Sequence, residues 1–166
     1  MVTSLLLNES ERAWLAGFID GEGYIGITLQ QKKETEAHAA SPLYHPFLII
    51  ANTNYAILRH IQMCVGGGRL YVLKRGTTRM KESYQYKLTR MTTLLGVLYA
   101  VEPHLKVKTS QCTLLIEFVR RRMAAKRTVG RGSRGITSFT EHDQHTYEQL
   151  LGLNRRGPMQ YAPLPR

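Results

Sequence analysis

The chain has 166 residues, 43% hydrophobic and 21% charged, a balance that suits one globular domain and excludes a disordered chain. No apolar run is long enough to span a bilayer, and the two cysteines, Cys64 and Cys112, form neither a CxxC site nor a disulfide framework. The net charge of +11 is one-sided: residues 1–68 carry four basic and six acidic side chains, residues 69–166 nineteen and six. Such an excess suits a polyanionic partner, although solvated Lys and Arg on an ordinary basic protein would give the same total. The opening stretch MVTSLLLNESE lacks the basic and apolar regions of a secretory signal. An intracellular, reducing compartment and no membrane partner are therefore expected.

The first element is a helix. Asn8 and Glu11 have the spacing of a capping box, and Trp14, Leu15, Phe18 and Ile19 follow before an expected end near Asp20-Gly21. Ala13, Gly17 and Gly21 fall at i, i+4 and i+8, a smooth stripe against which a second backbone could pack closely. Residues 24–32 alternate strictly, with Ile25, Ile27 and Leu29 on one face and Thr28, Gln30 and Lys32 on the other, as in a half-buried strand. A polar loop is expected over 33–45 and a second strand over 47–52. Residues 54–65 show helical spacing of Ile57, Leu58, Ile61 and Val65, and Gly66-Gly67-Gly68 reads as a turn rather than a phosphate cradle. Residues 69–74 and 83–89 predict a hairpin across a basic loop. Residues 92–101 predict a short apolar helix ending before Pro103. A longer helix runs from Lys108 to about Arg127, with Cys112, Leu115, Ile116 and Val119 inward. A basic Gly-rich loop follows, then a helix that Thr140 can cap, running through Leu151. Four strands in two hairpin pairs, separated by helices, make an α+β fold. Residues 1–127 form its core, and residues 128–166 an extension of the same domain with a basic loop and a helix.

The chemistry-bearing candidates are few. No HExxH, zinc-like Cys/His spacing, EF-hand, GxSxG or P-loop is present, and the six histidines are scattered. What remains is Glu22, bracketed by Gly21 and Gly23 between a helix end and a strand. Mg2+ favours oxygen ligands and often takes only one or two protein carboxylates, so Glu22 with the Gly21 carbonyl could serve; a solvated turn acid is the plainer alternative. One carboxylate is too few for a two-metal phosphodiester site, but a two-fold dimer through the small-residue stripe would bring two copies of Glu22 together.

The stretch LAGFIDGEG, Leu15 to Gly23, resembles the signature of the LAGLIDADG homing endonucleases, with Gly for Ala and Glu for Asp. A second stretch, PHLKVKTSQ at Pro103–Gln111, is similar to a PxLKxKxxQ segment of single-motif members, and the element order matches over about residues 9–125. The resemblance implies an αββαββα fold with a four-stranded antiparallel saddle sheet and C-terminal helices. It implies a homodimer, because single-motif members pair their motif helices, here through Ala13, Gly17 and Gly21. It implies site-specific, Mg2+-dependent cleavage of long, near-palindromic double-stranded DNA, leaving short 3′ overhangs and starting intron mobility. Glu22 corresponds to the catalytic metal-ligating acid, Gly21 to a carbonyl ligand, and Asp20 to a more structural acid. Lys108 corresponds to a basic residue near the cleaved phosphate, and Gln111 lies one turn on. Asn52, or Asn54, corresponds to a polar residue that orders water. The expected compartment is the cytoplasm, or an organelle holding the intron-bearing genome.

DNA reading would fall to the polar strand faces, with Gln30, Lys32, Arg69, Tyr71, Gln85, Lys87 and Thr89 reaching bases or phosphates. Arg75, Arg79, Lys81, Arg131 and Arg134 suit backbone contacts, while Arg120-Arg121-Arg122 suits a solvated helix face equally well. An RNA-binding intron maturase of the same fold, with intron RNA as partner, is the alternative. A DNA-binding regulator with a degenerate site is disfavoured by the acid at position 22 and the base at position 108.

Overall fold

The computed structural model describes residues 7–31, 42–78, 80–125 and 139–155. The first helix, α1, spans Glu9–Glu22 and opens on the expected capping box: Asn8 Oδ1 accepts from the Glu11 N–H at 3.0 Å, and Glu11 Oε2 from the Asn8 N–H at 2.8 Å. It buries Leu15, Ala16 and Ile19. It also runs past the expected end at Asp20-Gly21, so Glu22 is the last helical residue rather than part of a break. Gly23 makes the stop. Its N–H returns to the Ile19 carbonyl, and a Cβ there would lie 2.6 Å from that oxygen and 2.9 Å from Ile19 Cα. Only glycine lets the chain turn so tightly from helix into strand.

Strand β1 (Gly23–Gln31) pairs antiparallel with β2 (Pro42–Asn52), from Gly23 opposite Ile50 to Gln31 opposite Pro42. The second strand thus starts five residues before the expected 47, taking residues 42–45 from the predicted loop. Pro46 masks this in the sequence, because proline cannot donate to a ladder. It is tolerated because β4 pairs with β2 only over Leu48–Asn52, leaving Pro46 with one neighbouring strand.

Helix α2 (Tyr55–Val65) is capped by Asn54 and buries Leu58, Ile61 and Val65. Its C-terminal glycine run is a turn, as read from the sequence. Gly68, at φ +85°, lies so close beneath Tyr86 that a Cβ would come within 2.3 Å of the ring. Strands β3 (Arg69–Lys74) and β4 (Ser83–Leu88) form the expected hairpin, and β2 joins the two pairs in the order β1-β2-β4-β3, antiparallel throughout. Helix α3 (Met91–Val101), a 3-10 turn at Glu102–His104, α4 (Thr109–Ala124) and α5 (Glu141–Asn154) complete the described chain.

The helices cover one face of the sheet. Ile25, Ile27, Leu48, Ile50, Tyr86 and Leu88 point into a core shared with Leu94, Leu98, Leu115 and Phe118. Cys112 is buried there, its thiol pushed up to about 12 by loss of solvent and by Glu102 and Asp20, as suits an inert core cysteine. No described helix is long and apolar enough to cross a membrane. Helix α5 is held by Asp143, which is 1% exposed: it accepts from Arg121 at 2.9 Å, Arg122 at 3.4 Å and the Thr140 N–H at 2.9 Å. Arg122 also lies 3.9 Å over the Phe139 ring. Two arginines of the 120–122 run therefore clamp α4 to α5, while Arg120 stays exposed as the solvated-face reading has it. At the far end, Asn154 Nδ2 donates to the Ile25 carbonyl at 2.9 Å.

Candidate active site

The C-terminal end of α1 gathers the chemistry. Glu22 and Gly21 are exposed, and among the described residues no hydrogen bond or ion pair engages the Glu22 carboxylate. Two residues back, Asp20 does structural work. Its Oδ2 accepts from the backbone N–H groups of Lys106 at 2.7 Å and Val107 at 3.2 Å, and its Oδ1 from that of Lys108 at 2.9 Å. Partial burial pushes this carboxyl up, but the three backbone N–H bonds and the Lys108 charge outweigh that and hold it below the ordinary value.

The contact is reciprocal. Lys108 Nζ donates to the Ile19 carbonyl at 3.0 Å and to the Asp20 carbonyl. Helix α1 has no basic residue in its last turn, so this lysine supplies the positive charge its C-terminus favours. Asp20 and Lys108 thus lock the PHLKVK segment to the turn that carries Glu22. The sequence marks both residues, but their direct pairing through backbone groups 86–89 positions apart is legible only in three dimensions.

The other candidates are spread around this end. The β1–β2 register puts Gly23 opposite Ile50, so Asn52 lies at the same edge of the sheet as Glu22. Its Oδ1 accepts from the Asn54 N–H at 2.8 Å, while Asn54 is occupied in capping α2. Gln111, in the first turn of α4, is 9% exposed. Ala13, Gly17 and Gly21 lie exposed along α1, and a Cβ at Gly17 or Gly21 would meet nothing within 4 Å. Nothing among the described residues therefore requires glycine at either position.

Among the described residues, no helix covers the second face of the sheet. The register lays out its rows: Tyr24, Ile49, Lys87 and Arg69 across all four strands, and Ala51, Gln85 and Tyr71 beside them. Thr28 opposite His45 and Gln30 opposite Leu43 extend it along β1 and β2. Tyr24 stacks on Phe47 at 5.5 Å, and the Lys87 ammonium lies 5.7 Å over the same ring. Gln30, Arg69, Tyr71, Gln85 and Lys87 thus share the open face, with Thr89 exposed just beyond β4 and Arg75 and Lys81 exposed in the adjoining hairpin. Lys32, Arg79, Arg131 and Arg134 lie outside the described residues. Sequence reasoning missed Tyr24, His45 and Phe47. The period-two set Tyr44, Leu48 and Ile50 could have carried the strand back past the predicted loop and put His45 and Phe47 on its other face.

A family model described as LAGLIDADG endonuclease matches residues 15–118. No curated protein matches the sequence. Among solved structures, the chain is similar to the homing endonuclease I-CvuI in complex with its target in the presence of calcium, at 20% identity and TM-score 0.57 over 86% of this chain and 95% of that one. It is similar to the archaeal intron-encoded homing endonuclease I-Vdi141I complexed with DNA, at 18% identity and TM-score 0.66 over 92% and 89%. It also resembles the LAGLIDADG homing endonuclease I-SmaMI bound to cleaved DNA, at 14% identity and TM-score 0.62 over 89% of this chain and 45% of that one. At these identities the likeness establishes the fold.

Proposed function

The chain belongs to the LAGLIDADG endonuclease family, and on that premise we propose that it is a site-specific homing endonuclease that cuts both strands of a long, near-palindromic DNA target as a homodimer. The observation that carries this reading is the setting of Glu22: an exposed carboxylate, unengaged among the described residues, at the end of a helix whose two stripe glycines meet no other described residue. A second α1 against that face would explain both glycines and bring two copies of Glu22 to one axis. Relatives of the same fold have been described with DNA targets and with magnesium or calcium, which supports duplex DNA as substrate and a divalent ion as cofactor.

The donor set fits such an ion. A carboxylate and a backbone carbonyl are hard oxygen ligands, suited to Mg2+, and Glu22 with the Gly21 carbonyl would hold it. Bound there, the ion would supply charge neutralisation at the scissile phosphate and an acidified water. Lys108 adds positive charge beside the same turn, anchoring the phosphate or countering the charge that grows on it in the transition state. Asn52 and Gln111 flank this end as candidates to orient water. The row of Tyr24, Lys87 and Arg69, with Gln30, Gln85 and Tyr71, would lie in the major groove, where Arg and Lys suit guanine and Gln suits adenine. The same basic residues also suit phosphates. Cleavage would leave short 3′ overhangs.

Selection of cleaved sites from a randomised duplex library, with Mg2+ or with EDTA, tests this. Wild type should enrich a near-palindromic site with Mg2+ only, and Glu22→Gln should bind that site without cutting it. Tight binding of intron RNA with no duplex cut at any site would instead favour the maturase. Normal cutting by Glu22→Gln would remove Glu22 from the mechanism.

A further inference from the structure

At the other end of α1, two helices bring three metal-binding side chains together. His60 and Cys64 lie four residues apart on α2, hence on one face. Cys64 Sγ is 3.5 Å from His60 Nε2 and 3.9 Å from Nδ1. Glu11, from the first turn of α1, adds a carboxylate, and ligand atoms of all three lie within 4.8 Å of one another. The Asn8 N–H holds Glu11 Oε2 in the capping box, which orients the carboxylate and leaves ligand capacity on its other oxygen. The Trp14 ring packs edge-on against His60 at a centroid distance of 5.8 Å and restrains the imidazole.

We propose that Glu11, His60 and Cys64 bind a divalent transition ion of the zinc type, with water as fourth ligand. With Zn–N near 2.0–2.1 Å and Zn–S near 2.3 Å, tetrahedral ligands sit about 3.5 Å apart, which is the Sγ–Nε2 separation already present. A thiolate, an imidazole and one carboxylate select a borderline-soft ion over Mg2+ or Ca2+. Half-buried Glu11 and Cys64 form the floor of the site and exposed His60 its open side, so the ion enters from solvent and displaces the thiol proton into it. The bound ion ties the start of α1 to α2. Eleven residues, or about 16 Å of helix, separate Glu11 from Glu22, so this site is distinct from the catalytic one and does not depend on that reading.

Full-length protein stripped with EDTA and titrated with Co2+ tests the proposal. Expected are one thiolate-bound Co2+ per chain, with tetrahedral visible bands and a sulfur-to-cobalt charge-transfer band, and displacement of this ion by Zn2+ but not by Mg2+. Cys64→Ser should abolish the charge-transfer band while Cys112 remains. Glu11→Gln, which keeps the capping box, should weaken binding by at least the roughly 10–100-fold that loss of a merely supporting residue costs. His60→Gln should do the same, and Glu22→Gln should leave the spectrum unchanged. Zn2+ should raise the melting temperature of wild type and not of Cys64→Ser. If Cys64→Ser does not fold, the Glu11 and His60 variants carry the test. No charge-transfer band in wild type at saturating Co2+, or one that persists in Cys64→Ser, would overturn the proposal.

Discussion

Gly17→Ala separates what one chain needs from what two chains need. Gly17 lies inside α1 with no positive φ, it is exposed, and an added Cβ meets nothing within 4 Å. In the isolated chain, alanine should therefore stabilise by the helix-propensity difference, about 1 kcal/mol. For a domain of this size that raises the melting temperature by roughly 2–4 °C. If a second α1 packs on this face, the same methyl enters a close contact, once from each helix. Overpacking of about 1–3 kcal/mol per copy then opposes association by roughly 2–6 kcal/mol. At 1.4 kcal/mol per decade, the dimer dissociation constant rises roughly 30-fold to 10⁴-fold. Chemical denaturation over a series of protein concentrations separates the two effects, and sedimentation reads the dimer directly. A variant that dimerises as tightly as wild type would refute the interface. One whose monomer is less stable than wild type would refute the reading of α1 as an open-faced helix.

Asp143→Ala leaves Arg121 and Arg122 without their buried partner and should lower stability by about 3 kcal/mol, or roughly 6–12 °C in melting temperature; loss of helicity confined to α5, seen by hydrogen exchange, would localise it. For Asp20 the sign follows from a carboxyl held below the ordinary carboxylate value: its stabilisation is present above that ordinary value and is lost as pH falls through the lowered one. Asp20→Asn should thus be less stable than wild type at pH 7, with the gap closing as the pH falls below the ordinary carboxylate range; a gap independent of pH in urea titrations would show that the charge is not the cause. Lys87→Ala should reduce the salt slope of DNA binding by about 0.9 per lost phosphate contact and leave site preference intact if Lys87 meets phosphate. Unchanged salt dependence with relaxed preference at one base pair would make it a base reader.

Local signals carried most of the fold. The Asn8–Glu11 box, the alternation of Ile25, Ile27 and Leu29, and the spacing of Leu58, Ile61 and Val65 all depend on neighbours within a few residues, and each appears as expected. Prediction failed where a distant partner decides. Pro46 is admissible only because β4 stops short of it, a fact of sheet register that no window of sequence contains. Arg121 and Arg122 look like surface charges until Asp143 arrives from a helix some twenty residues on. At the candidate site the acid, the lysine and the small-residue stripe were all visible in the motif, but Gly23 rather than Gly21 proved to be the sterically required glycine. That distinction depends on a backbone oxygen one turn away.

The lock between Asp20 and the 106–108 segment also bears on the order in which the molecule assembles. It spans 86 to 88 residues of chain, and closing a loop of that length carries an entropic term of about 4 kcal/mol that local helix formation does not face. The turn bearing Glu22 is therefore fixed late, after strands and helices between these points have collapsed. A chain that ends before Lys108 holds the whole nine-residue signature without the contacts that tie its last helical turn to the rest of the fold.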